Sequence, residues 1–310
     1  MKNRTFSALI VAAFLAASAA LVGCSKQAPE QGEQKTSAPA SDVIKIGVFQ
    51  PLTGANSAGG ADELEGIKLA NKLYPTALGK KVELVIVDNK SDKVEAANAA
   101  TVLTQKEKVN AVLGSWGSSL SMSGGPIFAE AKIPAVALSA TNPNVTKGNE
   151  YYFRVCFLDP FQGTVGAAYA YNTLKAKKVA IIREVSNDYS VGLTKFFVDN
   201  FVKLTGDDKA VVATADYNTG DQDFSAQLTN IKQHNPDVIF APGNYTESAL
   251  IIKQARALGM QTPFIGADTW DLDAFLKVGG DSVEGTVIST FFANDVPNNK
   301  TSEDFLKAYR

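Results

Sequence analysis

Residues 43–49, VIKIGVF, run into the glycine-rich turn QPLTGANSAGGADE (50–63) and then into a helix-length stretch ending at Tyr74. The first segment is short, rich in Val and Ile and apolar on both faces, as buried parallel strands are. In the last, Leu64, Ile67, Leu69 and Leu73 fall mainly along one side of a helix. Strand, glycine-rich turn and amphipathic helix together form the repeating unit of a doubly wound α/β sheet. The unit recurs along the chain. Further strands are expected at VELVIVD (82–88), NAVLG (110–114), PAVAL (134–138), KVAII (178–182), AVVATAD (210–216), DVIFA (237–241), PFIG (263–266) and GTVIST (285–290). Helical stretches such as DKVEAANAATVLTQKEKV (92–109) and DFSAQLTNIKQHN (223–235) separate them. The expected architecture is α/β: two doubly wound parallel-sheet domains joined by a hinge. One covers residues 43–158 and the other 159–290, with residues 291–310 leaving the second as a return segment to the first.

The N-terminal end reads differently. MKNR is basic, ALIVAAFLAASAALV is apolar but short for a membrane span, and LVGC ends at Cys24. Residues 1–23 therefore read as a secretory signal. Small residues ahead of a cysteine resemble a bacterial lipoprotein signal, in which Cys24 becomes the lipid-bearing first residue. Residues 24–42 continue with Ser, Ala, Pro, Gln and Glu and read as a flexible tether. The expected location is the periplasm or the outer face of the cell membrane, lipid-anchored. With Cys24 used for lipid, Cys156 is left without a disulfide partner and is expected to be a buried small hydrophobe.

Lysines and arginines number 30 against 32 acids, and losing Lys2 and Arg4 with the signal makes the net charge of −2 more negative by two. No basic run is present, so nucleic acid is not an expected partner. The single histidine, His234, and the absence of clustered thiols leave no zinc site. No cofactor is expected.

Ligands of open α/β sheets bind outside the carboxyl ends of the strands, so the segments just after each strand carry the functional reading. The turn after the first strand suits an anion at a helix N-terminus, but it fits neither G-x-G-x-x-G nor a P-loop. GSWGSSLSMSGG (114–125) follows the NAVLG strand and has five serines and four glycines. A nucleophile elbow needs G-x-S-x-G; here GSSLS has serine in place of the last glycine. His234 lies near a helix end ahead of a strand, on the opposite edge, so a serine hydrolase lacks its base. Pro126, without an N–H, is expected to kink or restart the helix after Gly125. SATNP (139–143) follows the next strand, and a right-handed crossover would bring its Ser139 and Thr141 to the same edge as Ser118. Hydroxyls and free amides converging without a cation suit a small carboxylate, although Ser and Thr also serve simply as helix caps. The second domain presents Tyr189 after KVAII, Asn244 and Tyr245 after DVIFA, and Asp268 and Trp270 after PFI. Asp268 could meet an ammonium group or cap the helix near Asp271; Trp270 could pack or line a pocket. Asp216, Asp221 and Asp223 read as caps and surface. A free amino acid in an interdomain cleft fits both halves.

IKIGVFQPLTGANSAGG, GSWGSSLSMSGGPIFAEAKIPAVALSATNPNVT, NDYSVGL and PFIGADTWD, in this order, resemble the type I periplasmic solute-binding proteins. Within them the resemblance is to the leucine/isoleucine/valine-binding branch that feeds ABC importers, and it spans residues 43–310. It implies two α/β domains joined by three crossovers that close on a ligand like a Venus flytrap. It also implies that the usual C-terminal part is missing beyond Arg310. Carried over, Ser118 and Thr141 would take the α-carboxylate. The Ser139 carbonyl and Thr141 hydroxyl, flanking Ala140, would join Asp268 at the α-amine, and Tyr189 would cover the ligand. Gly59 falls where relatives carry a pocket tyrosine, Asn244 falls at another aromatic position with Tyr245 beside it, and Trp116 replaces a smaller residue and narrows the pocket.

The implied function is an extracytoplasmic binding lipoprotein, not an enzyme, delivering a free amino acid of branched-chain or aliphatic type to ABC permease subunits. The other readings are a ligand sensor of the same fold for amino acids or short amides, and a serine hydrolase acting through Ser118.

Overall fold

A computed structural model describes residues 42–297 and 299–310. The signal, the tether and Cys24 lie outside the described residues. Two sheets organise the rest. The first contains β1 (Val43–Gln50), β2 (Thr76–Ala77), β3 (Lys80–Asp88), β4 (Ala111–Leu113), β5 (Ala135–Ala137) and β6 (Tyr152–Arg154), in the spatial order β2-β3-β1-β4-β5-β6. All neighbours are parallel except β2 against β3. Its helices are α1 (Ser57–Leu73), α2 (Lys93–Thr101) and α3 (Ser118–Ala131). The second sheet has the order β10-β9-β7-β8 and is parallel throughout. Its strands are β7 (Val179–Glu184), β8 (Val211–Tyr217), β9 (Val238–Phe240) and β10 (Phe264–Ile265). Around it lie α4 (Asp159–Ala168), α5 (Asp188–Thr205), α6 (Ser225–Gln233), α7 (Tyr245–Ala257) and α8 (Asp273–Gly279); α9 (Lys300–Tyr309) follows.

Burial follows the apolar pattern. Phe49, Leu103, Val112, Phe128 and Tyr152 form one core on the first sheet, and Val48 packs with Leu64 and Ile67 of α1 on its other face. Leu73 of α1 stays half-exposed; the strip around it faces α9, which lies alongside. In the second half, Ile181, Phe197, Phe201 and Phe240 cover one face of the sheet and Ile182, Leu228, Ile239 and Ile252 the other.

Three expectations need correction. GTVIST forms no strand; only Val287 makes a single parallel bridge to Ile265, because the edge it meets, β10, is only two residues long. α3 runs through Pro126 without restarting. Proline removes one backbone donor, but this helix is held on both sides by Phe128 in the core and by buried Gly124 and Gly125. Cys156 is half-buried rather than core: its thiol sits against the Ala140 carbonyl at 3.5 Å, and burial pushes its pKa up to about 11.

In each sheet the strand order reverses at one point, between β1 and β4 in the first and between β7 and β9 in the second. Crevices at such points are where α/β sheets hold ligands.

Candidate functional site

The loops at the two switch points meet in one cavity of about 70 Å³. From the first half come Asn56, the turn Trp116–Leu120 and Ser139; from the second come Glu184, Tyr189, Asn244 and Asp268.

The serine loop is shaped by glycine. Gly117 has φ +88°, and no side chain caps α3 behind it. Ser118, Ser119 and Leu120, the first turn of α3, border the cavity, at the positive end of the helix dipole. The Ser118 hydroxyl accepts from the Asn142 amide at 3.1 Å, which fastens the SATNP loop to the serine loop.

A buried polar chain supports this floor. The Trp116 amide donates to Gln50 Oε1 at 2.7 Å, and Gln50 Nε2 donates to Glu63 at 2.6 Å. The Ser139 hydroxyl donates to the other Glu63 oxygen. Burial raises the Glu63 pKa to about 7, against the lowering effect of its Ser139 and Gln50 hydrogen bonds. Behind the floor, Thr141 and Asp159 are fully buried. The Thr141 hydroxyl lies beside the Asp159 carboxyl, but neither its Oγ1 nor Asp159 Oδ2 completes a well-formed hydrogen bond. Burial takes the Asp159 pKa up to about 7.

On the facing wall the Tyr189 hydroxyl donates to Asp268 Oδ1 at 2.7 Å. Burial raises the Asp268 pKa to about 6, opposed by the hydrogen bonds from Tyr189 and Gln162. Asp268 is the first residue of a short 3-10 turn and caps no helix with its side chain. Glu184, at the end of β7, is fully buried and accepts from Asn187 Nδ2 at 3.1 Å, the Asn244 amide at 3.2 Å and the Thr219 hydroxyl.

The halves are latched around the cavity. Lys93 Nζ lies 2.8 Å from Asp188 Oδ2, and the Ser119 hydroxyl donates to the same oxygen at 2.8 Å. Asn142 Nδ2 donates to the Asp188 carbonyl at 2.9 Å. The Tyr245 hydroxyl donates to the Ala55 carbonyl at 2.8 Å and accepts from the Ala58 amide at 3.2 Å. Asn244 Nδ2 reaches Asn56 Oδ1 at 2.9 Å.

Comparison with known proteins fits this geometry. A family model described as periplasmic binding protein matches residues 43–310. The chain belongs to the periplasmic binding protein family. A Leu/Ile/Val-binding protein homolog from Brucella suis is 30% identical over 274 residues, covering 87% of this chain and 72% of that one. An amino acid binding protein from Pseudomonas aeruginosa is 31% identical, covering 86% and 72%. Among solved structures, a leucine binding protein LivK from Thermotoga maritima superposes with TM-score 0.82 at 42% identity, covering 86% of this chain and 75% of that one. LivJ of Streptococcus pneumoniae, in complex with isoleucine, gives 0.80 at 33%, covering 86% and 76%. Both sheets and their parallel order are those of the type I fold, and the chain sits on the Leu/Ile/Val-binding branch. Membership carries solute binding outside the cytoplasm, and no enzymatic chemistry.

Of the residues singled out from sequence, Trp116, Ser118, Ser139, Tyr189, Asn244 and Asp268 border the cavity. Ala140, Thr141 and Tyr245 do not: Ala140 and Thr141 lie behind the floor, and Tyr245 packs edge-on against Trp116, ring centres 6.1 Å apart. Trp270 is packing, stacked on Phe275, with its Nε1 donating to the Gly243 carbonyl at 3.2 Å. His234 is exposed at the end of α6, away from the cavity. Asp223 accepts from Ser225 N, Asp221 from Asn218 N, and Asp216 pairs with Arg183. Sequence reasoning passed over Glu63, Gln50, Glu184 and Asn56. Glu184 ends a strand ahead of a loop, a position the carboxyl-end rule could have flagged; Glu63, inside an acidic-looking helix start, gave no such signal.

Proposed function

We propose that this chain is the substrate-binding component of an ABC importer, anchored through lipid at Cys24, and that it holds one free amino acid between its lobes. The lobes are residues 43–158 and 159–290, and residues 291–310 return to the first; the position of α9 alongside α1 supports that return. The names of the relatives, which specify leucine, isoleucine and valine, support an amino-acid ligand.

The observation that carries the reading is the opposition of two chemistries in one cavity. Ser118 and the first turn of α3 offer neutral dipoles, and Lys93, the lysine bordering the cavity, is paired with Asp188; this suits the α-carboxylate. Asp268, bonded to Tyr189, offers a carboxylate to the α-ammonium. The Ser139 carbonyl completes the ammonium contacts. The latch across Asp188 and Tyr245 belongs to the closed form, which the ligand favours by binding it better than the open one. The permease subunits would read that closed face.

Calorimetry of the full chain against the common amino acids tests this. Micromolar binding of at least one is expected, roughly −8 kcal/mol. Asp268→Ala should weaken it by about 2–5 kcal/mol, the cost of breaking one side of a buried charge pair. Unchanged affinity in that variant would remove Asp268 from the site.

A further inference from the structure

We infer that the amino acid held here has a small side chain that donates hydrogen bonds, of the serine, threonine or asparagine kind, rather than a branched aliphatic one; this rests on the amino-acid-binding reading above. The wall left over once the α-groups are placed is polar. Glu184, fully buried, is part of it. Its three donors, from Thr219, Asn187 and the Asn244 backbone, are all neutral. A carboxylate accepts at about four lone-pair positions, so room for one more donor remains. The one lysine bordering the cavity, Lys93, is taken by Asp188. Asp268 already answers the ammonium, so Glu184 is a second carboxylate in the same small cavity, with no cation paired to it among the described residues.

The rest of that wall agrees. Asn244 and Asn56 present amides, joined at 2.9 Å. Among the described residues Leu120 is the one aliphatic side chain bordering the cavity, alongside the rings of Trp116 and Tyr189. An isobutyl group pressed against this surface would cover two amides and return no hydrogen bond to them or to Glu184. Buried polar groups left unpaired are costly, and sites built to bond a substrate donor reject analogues lacking it by large factors. Size points the same way. The cavity offers about 70 Å³, whereas an apolar cavity of about 150 Å³ is what benzene occupies. The indole of Trp116 borders it on the first-half side, against Gly59.

The test is calorimetry of the full chain with L-serine, L-threonine, L-asparagine, L-leucine and L-isoleucine, repeated with Glu184→Gln and Asn244→Leu. One of the three polar amino acids is expected to bind at least tenfold tighter than leucine. Both variants should shrink that preference by about tenfold, Asn244→Leu by raising leucine affinity, with melting curves establishing that each is folded. Leucine or isoleucine binding tighter than all three polar ligands would overturn the inference and leave the amino-acid-binding function standing. Binding of none of the amino acids, these and the rest of the common set, would overturn both. A polar preference unchanged in both folded variants would overturn the assignment to this wall. The wild-type ligand series decides the matter even where a variant does not fold.

Discussion

A Cβ placed on Gly59 would stand 2.3 Å from the indole of Trp116. The two positions share one volume, and the Trp116 ring also packs against Tyr245, ring centres 6.1 Å apart. Trp116 thus occupies the space that a side chain at position 59 would need. Alanine in place of a helical glycine ordinarily stabilises by about 0.5–1 kcal/mol. Here the sign should reverse. Gly59→Ala is expected to cost about 1–3 kcal/mol, as overpacking does. Adding Trp116→Leu should recover part of it, since residues in contact couple. Denaturant midpoints check both, and a stabilised Gly59→Ala would show that the helix and ring are not locked together.

Stability of the ligand-free protein should fall as pH rises from about 4 to 7. Glu63 and Asp159 are raised to about 7 and Asp268 to about 6, in each case first by burial. A carboxyl with a raised folded-state pKa contributes stability that is complete below its unfolded pKa and lost as pH climbs through the folded one. The window is therefore roughly pH 4 to 7. Asp159 keeps one oxygen, Oδ2, without a hydrogen bond. Asp159→Asn should raise stability at pH 8 by up to about 4 kcal/mol, given about 1.4 kcal/mol per pKa unit over the rise from 3.8 to about 7, and flatten the profile. A melting temperature independent of pH over this range would contradict the burial of these charges.

Ligand binding should show the opposite slope on its acid side. The ammonium needs Asp268 ionised, so affinity should drop toward tenfold per pH unit below about 6. The Tyr189 hydroxyl lowers the Asp268 pKa by donating to it. Tyr189→Phe removes that donor, and the acid limb should move to higher pH. Calorimetry between pH 4.5 and 8 reads both curves. A limb that stays in place would mean Tyr189 does not tune Asp268.

The strand-helix alternation, the switch-point loops and six residues of the cavity border were legible because each depends on local pattern and chain order. Ser118, Ser139 and Asp268 follow strands, and the topology rule gathers such residues whatever their contacts. What stayed hidden depends on distant pairings. Glu63 reads as a solvated helix residue until Gln50 and Ser139 are seen to close on it. Asp159, eighteen positions after Thr141, gives no sign in the sequence of lying beside it. Pro126 reads as a break until the packing around α3 is known. GTVIST has strand composition but meets an edge only two residues long.

The Asp188 latch should be weak and salt-sensitive. Asp188 and Lys93 are about half-exposed, at 47% and 50% of their side chains. Pairs of that kind contribute about 0.2–1 kcal/mol. Lys93→Ala should weaken ligand binding two- to fivefold at low ionic strength. At 1 M salt, where the Debye length is about 3 Å, variant and wild type should converge. A larger, salt-independent loss would mean that Lys93 touches the ligand itself.

Tyr245 carries the stronger latch. Its hydroxyl both donates to the Ala55 carbonyl and accepts from the Ala58 amide, while its ring packs on Trp116. Tyr245→Phe keeps the ring contact and deletes two hydrogen bonds that exist only when the lobes are together. In the open form water satisfies all three groups; in the closed form the variant leaves the carbonyl and the amide facing a phenyl edge. The penalty falls on closure alone, about 1–3 kcal/mol for groups left unsatisfied, or roughly 5- to 150-fold in affinity. Most of the change should appear as faster dissociation, the usual seat of affinity differences among variants of one interface. Stopped-flow measurement of association and dissociation separates the two. A slower association with an unchanged dissociation rate would place Tyr245 in the path of entry rather than in the closed latch.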